Sequence, residues 1–182
     1  MNLLTTEPLV FASLDMKDSG GTVADLLSKI FDPSITLEDI KWLRANWDGN
    51  ILIKGIQCVE DALMVKEAGV DGIVISTHGG RQMDKSIVPL EILPEVRKAV
   101  GKDMTILLDG GVMAGTDILA AIGLGADAVL IGRAYLYGLM AGGQAGVDRV
   151  VQLLKAEIEM SMRLLGITKL EELTPDRVRI RQ

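Results

Sequence analysis

From Asn50 onward, apolar runs of four or five residues alternate with stretches in which apolar residues recur every three or four positions. The runs, rich in β-branched residues, read as strands buried on both faces, and the stretches between them as amphipathic helices. The pattern predicts strands at 51–54, 72–76, 105–108 and 128–131, separated by helices at 59–68, 90–100 and 116–124, the second with Pro94 in its early turns. Connections this short demand right-handed crossovers and a parallel sheet, so the carboxyl ends of all four strands fall on one edge. The class is α/β, and four such units make half of a TIM (β/α)8 barrel.

The flanks are read from the same patterning. Residues 1–34 form a lead-in segment, mostly loop with a short helix at 22–30, because 15–22 is polar and glycine-containing. Residues 35–182 form the barrel domain. Ser34 or Thr36 caps a helix at 37–45, with Glu38 and Asp39 at the positive end of its dipole and Trp42 and Leu43 expected to face the core. At the other end, Val150, Leu153, Leu154, Ile158, Met162 and Leu165 recur at helical spacing and predict a long amphipathic helix over 147–166. Gly166 stops it, Leu170 and Leu173 add a short packed segment, and the arginines after Pro175 read as a solvated tail.

Composition narrows the partners. The chain has 182 residues, 48% of them hydrophobic, which is enough to bury a core. Its formal charge of −6, with no clustered lysines and arginines, argues against nucleic acid. The single cysteine, Cys58, excludes an internal disulfide and a CxxC metal site, and is expected as a small buried helix residue. No apolar run reaches the length of a membrane span and no signal peptide is evident, so the expected location is the cytoplasm, with peripheral membrane association as the alternative.

Chemistry collects at the predicted strand ends. The first strand ends in Lys54; the second ends in Ser76, with His78 and Arg81 just beyond; after the third come Asp109, Gly110 and Gly111; after the fourth, Gly132 and Arg133. His78 is the only histidine. An imidazole that accepts a proton near neutral pH, three residues from a guanidinium whose fork suits a carboxylate, is the pair needed to deprotonate and anchor a small acid. Glycines on the last two loops, with Arg133, have the character of a phosphate site. On residue type alone the bland alternatives stay open: a hydrogen-bonded loop histidine, and glycines that only turn the chain.

Five motifs, "ILIKGI", "VISTHGGRQMD", "LLDGGV", "GTDILAAIGLGADAVLIGRAYLYGL" and "AGVDRVVQLLKAEIEMSM", occur in the order of one family. The run from Ser34 to Leu173 resembles the carboxyl-terminal half, strands 5–8, of the FMN-dependent α-hydroxy acid dehydrogenases and oxidases, which include L-lactate dehydrogenases, glycolate oxidases and mandelate dehydrogenases. The resemblance implies FMN as cofactor and a small 2-hydroxy acid such as L-lactate as substrate. It also implies roles. Lys54 would lie against the N1 and C2 carbonyl side of the flavin ring and Ser76 would help hold the ring; His78 would be the catalytic base, in contact with substrate, and Arg81 would grip the substrate carboxylate. Asp109, Gly110, Gly111, Gly132 and Arg133 would line the ribityl phosphate site.

The chain departs from the family in three ways. Where members carry arginine in the loop after the two glycines, this chain has Met113 and Ala114, and Thr77 stands where they have asparagine. Members are also about twice as long, and the half absent here supplies strands 1–4, substrate-binding tyrosines and an aspartate partner for the histidine. A half barrel has two open edges, so the expected partner is a second copy or a complementing amino-terminal half, unless the chain is a fragment. Two functions compete: an FMN oxidoreductase of a small L-2-hydroxy acid, and a truncated or inactive homologue that keeps the FMN/phosphate-binding half barrel without turnover. A flavin-free phosphate-binding barrel is the weaker third.

Overall fold

The computed structural model describes residues 32–180, so the helix expected at 22–30 lies outside the described residues. In chain order the elements are α1 (Leu37–Asn46), β1 (Leu52–Ile56), α2 (Val59–Glu67), β2 (Gly72–Ile75), α3 (Pro89–Val100), β3 (Thr105–Asp109), α4 (Gly115–Gly123), β4 (Ala128–Leu130) and α5 (Arg133–Leu165). Short 3-10 turns occupy His78–Gly80, Leu170–Glu172 and Pro175–Arg177. The four strands form one sheet in the order β1-β2-β3-β4, every neighbouring pair parallel. This is the singly wound order of a (β/α) barrel, in which each strand is added on the same side of the last.

The sheet's alternation decides where the core lies. Ile73, Ile75, Ile106 and Leu108, all buried, share one face and meet Ala62 and Val65 of α2, Ile92, Leu93, Val96 and Val100 of α3 and Ala121 of α4. Residues in the intervening positions, Leu52, Lys54, Leu107 and Leu130, look the other way and are partly or largely exposed. Among the described residues, helices therefore cover one face only. Pro89 opens α3 at a position where a missing amide costs nothing, and Gly101, at φ 78°, ends it.

Two aspartates tie the amino-terminal edges of the strands together. Asp71, at the entry to β2, accepts the Ile51 amide at 2.7 Å and pairs with Arg44 of α1 at 3.0 Å. Asp127, at the entry to β4, likewise accepts the Ile106 amide at 2.7 Å and pairs with Arg97 of α3 at 2.6 Å. The strand pairs β1–β2 and β3–β4 are thus built alike, on the matching runs "GVDGIVI" and "GADAVLI".

Two expectations need correction. Trp42 and Leu43 do not face the core: they are 66% and 40% exposed. α1 packs instead along the stripe Leu37, Ile40 and Arg44, and on a 3.6-residue helix Trp42 falls outside that stripe. Cys58 lies ahead of its helix rather than within it; half-buried, its Sγ caps α2 by accepting the Asp61 amide at 3.4 Å. Desolvation raises its thiol pKa, which keeps it a weak nucleophile. The helix expected over 147–166 is present as the second part of α5, ending at Gly166, and it is preceded by a helical stretch from Arg133 that patterning did not assign, the two divided at Gly142 and Gly143, whose backbones leave helical geometry. There Gly138 and Gly146 pack backbone to backbone, leaving no room for a Cβ at either.

Candidate active site

The carboxyl edge of the sheet gathers the polar residues singled out above. Lys54 lies on β1 opposite Val74, and a bulge at Gly55, φ +101°, sets two residues of β1 against one of β2. The kink turns the end of the strand and leaves the space that the imidazole of His78 enters: a Cβ on Gly55 would stand 3.1 Å from His78 Cε1. Gly55 was legible as a strand end, but its service to His78 was not.

Ser76 follows β2, fully buried, and both of its hydroxyl contacts are made: Oγ accepts from Lys54 Nζ at 2.9 Å and from the His78 amide at 3.0 Å. Those bonds pull the chain into a tight turn that holds His78 at φ 54°, a left-handed conformation uncommon outside glycine. Lys54 Nζ also lies 2.9 Å from Asp109 Oδ2 at the end of β3. The lysine is 42% exposed, so the pair contributes little to stability, and its effect is to place an ammonium. Asp109 Oδ1 is buried and has no partner among the described residues.

The remaining candidates ring this cluster. Gly110 and Gly111 have φ of +99° and +78°, and Gly110 turns past Thr77 and Pro89. Gly132 precedes α5, and Arg133, its first residue, reaches back so that Nη2 donates to the Gly79 carbonyl at 3.3 Å. Arg81 is exposed, as is the whole stretch from Gly80 to Lys85, and bonds to no described residue. In the loop after Gly111, Met113 is 48% exposed, and the Asp117 carboxylate takes the Met113 and Ala114 amides, each at 2.9 Å. Asp117 had not been singled out. Its signal was an acidic side chain three residues into a helix whose cap position, Ala114, offers no acceptor.

A singly wound parallel sheet whose carboxyl edge carries an ammonium, a buried serine, a strained histidine and glycine turns is that of a (β/α) barrel, a fold in which the loops at that edge carry the functional groups. Comparison with known proteins specifies the family. The family model for FMN-dependent dehydrogenases matches residues 2–180, and the chain belongs to that family. A Mycobacterium tuberculosis protein that carries a provisional L-lactate dehydrogenase name is 55% identical over 177 residues, 97% of this chain and 42% of that one. The crystal structure of a monotopic membrane protein, (S)-mandelate dehydrogenase, superposes with a TM-score of 0.81 at 42% identity, covering 86% of this chain and 41% of that one. A flavocytochrome b2 variant with pyruvate bound matches with a TM-score of 0.76 at 44% identity, covering 84% and 42%. The chain thus spans less than half the length of the relatives it matches.

The residues present suit FMN. Open space lies over Gly111 and Gly132, where nothing comes within 4 Å of a Cβ position, and Arg133 stands beside it. The unpartnered Asp109 Oδ1 is a buried acceptor with room for a donor, and the hydroxyls of a ribityl chain would suit it. Among the described residues no helix is long and apolar enough to cross a membrane.

Proposed function

We propose that this chain binds FMN at the carboxyl edge of its sheet and, in an assembled barrel, oxidises a small L-2-hydroxy acid such as L-lactate to the 2-oxo acid. One observation carries the reading: Lys54, bridged to Ser76 and Asp109, and His78, seated over Gly55, converge at one strand edge. FMN, when bound, supplies the two-electron acceptor. Lys54 then presents an ammonium where negative charge gathers on reduction, and Ser76 and Asp109 keep it aimed there. Asp109 takes a ligand hydroxyl through its second oxygen, so its place is beside the ribityl chain rather than on the phosphate itself. Gly110, Gly111 and Gly132 admit the phosphate to backbone amides, with Arg133 as its fixed charge.

His78 takes the proton that leaves the substrate hydroxyl, or the α-proton if the carbon is deprotonated first; both routes need the same imidazole. Arg81, exposed and free of described partners, is the residue to clamp the substrate carboxylate. Arg81→Lys should weaken binding of a substrate analogue by roughly tenfold or more, because a single ammonium does not reproduce the bidentate grip. Titration of flavin absorbance with the analogue measures it.

The second reading, a homologue without turnover, is favoured by Met113 and Ala114 at positions where the resemblance expects arginine. A lost charge-assisted contact to phosphate is worth about 1.5–3 kcal/mol, roughly ten- to a hundredfold in affinity. Met113→Arg should therefore tighten FMN binding by a comparable factor, read by fluorescence quenching; unchanged affinity would mean that the loop does not serve the phosphate. The deciding experiment for turnover is anaerobic. Flavin bands in the purified protein, bleached by L-lactate or L-mandelate, support the oxidoreductase, whereas bound flavin that neither acid reduces supports the inactive homologue. We place the protein in the cytoplasm, with attachment to a membrane surface as the alternative.

A further inference from the structure

The turn that carries His78 has three consecutive left-handed residues: His78, Gly79 and Gly80 lie at φ of 54°, 71° and 73°. Its first half is fixed by a buried group, because the Ser76 hydroxyl accepts the His78 amide at 3.0 Å. Its glycine half has no such anchor. A peptide unit between two glycines turns over at little steric cost, since glycine occupies both signs of φ with similar ease. The Gly79–Gly80 peptide stands between His78 and Arg81 in the chain, so its orientation sets how imidazole and guanidinium face each other.

That peptide is held from both sides. Its N–H, on Gly80, donates to the Thr77 carbonyl at 2.9 Å and closes the turn. Its carbonyl, on Gly79, accepts from Arg133 Nη2 at 3.3 Å. The second bond is long-range: Gly79 follows β2, Arg133 follows β4, and β3 lies between those strands. It reaches across the end of β3, where nothing comes within 4 Å of a Cβ position on Gly111. The guanidinium that steadies the turn therefore also borders the space assigned above to phosphate.

We propose that Arg133 couples the anion it binds to the turn that carries His78. A guanidinium has five N–H donors in a planar fork, enough to hold a phosphate and to keep Nη2 on the Gly79 carbonyl at the same time. Once the anion fixes this exposed side chain, the bond to Gly79 forms without a further ordering cost and keeps the peptide from turning over. Arg133 is thus a positioning residue for His78 and Arg81, acting through the backbone between them. Coupling is reciprocal, so whatever orders the turn also tightens the hold on the anion. The inference rests on the reading that Arg133 meets a phosphate, and the experiment separates the two.

Inorganic phosphate at tens of millimolar, against chloride at equal ionic strength, is the probe, and the amide resonances of the isotope-labelled full chain are the readout. Phosphate is expected to shift the Gly111 and Gly132 amides and to slow hydrogen exchange of the Gly80 amide by roughly tenfold, the worth of one charge-assisted hydrogen bond. Arg133→Met, at an exposed position, should exchange the Gly80 amide faster than the parent even without phosphate, and show no slowing with it. Arg133→Lys keeps a charge for the anion, so phosphate still shifts the Gly132 amide, but a single ammonium does not span both partners and Gly80 gains no protection. Shifts at Gly111 and Gly132 with Gly80 exchange unchanged, or a Gly80 amide as protected in Arg133→Met as in the parent, would overturn the coupling and leave the phosphate site standing. No shift at either glycine with inorganic phosphate or with FMN would overturn the phosphate reading, and the coupling with it.

Discussion

In assembled, flavin-loaded protein, His78→Gln is expected to slow flavin reduction by L-lactate by roughly 10²–10⁴-fold, the range of general acid–base catalysis, while FMN spectra and substrate-analogue binding stay close to those of the parent. Oxidation of a 2-hydroxy acid releases two electrons and two protons. One proton leaves with the electrons as a hydride equivalent, or follows them, and the other needs an acceptor near the site. The chain has one imidazole. Arg81 does not deprotonate, and Lys54 is engaged with Ser76 and Asp109. Because His78 sits at φ 54°, a second variant separates chemistry from backbone strain: His78→Asn tolerates the left-handed conformation and should lose the same rate. Stopped-flow reduction at the parent rate in both variants would place the base elsewhere.

The largest effect on stability is expected at Arg97, far from that chemistry. Its guanidinium donates to the carbonyls of Gly125 at 2.6 Å, Gly101 at 2.8 Å and Met104 at 2.8 Å, and to Asp127 at 2.6 Å, with its side chain only 17% exposed. One side chain therefore ties the end of α3 to the entries of β3 and β4. Arg97→Ala leaves three carbonyls without this donor and Asp127 with only the Ile106 amide, at a cost of about 3–5 kcal/mol. For a chain of this size that corresponds to a fall in Tm of roughly 6–20 °C. Lys41→Ala is the control: its partner Glu38 is 79% exposed, and such pairs contribute within about 1 kcal/mol. Equal melting of the two variants would show that the Arg97 contacts carry no stability.

Much of this molecule is legible without its coordinates, for definable reasons. Parallel strands covered by helices must be apolar in consecutive positions, so "GIVI" and "TILLD" announce themselves, and the short spacings between them leave only a parallel, right-handed arrangement. That arrangement puts Lys54, His78, Asp109 and Arg133 on one edge before any distance is known. Periodicity does not say which stripe of a helix meets a neighbour. Trp42 has the hydrophobicity of a core residue, yet α1 turns Ile40 and Arg44 inward because Arg44 reaches Asp71, 27 residues away. Nor do glycines announce a helix. Patterning assigned no element to the stretch from Arg133 to Gly146, which the structure shows as helical up to the break at Gly142 and Gly143, with the backbones of Gly138 and Gly146 in contact.

The sequence by itself determined the class of fold, the order of the strands and the set of residues at the carboxyl edge, because these follow from patterning and chain connectivity, which are local. Only the tertiary structure decided how that set is wired. Lys54 and Asp109 are far apart in the chain, as are Arg133 and Gly79, and pairings of that kind are set by the register and twist of the whole sheet. The same holds for Gly55: a glycine after a strand lysine is one turn signal among many, and only the fold puts the imidazole of His78 over it.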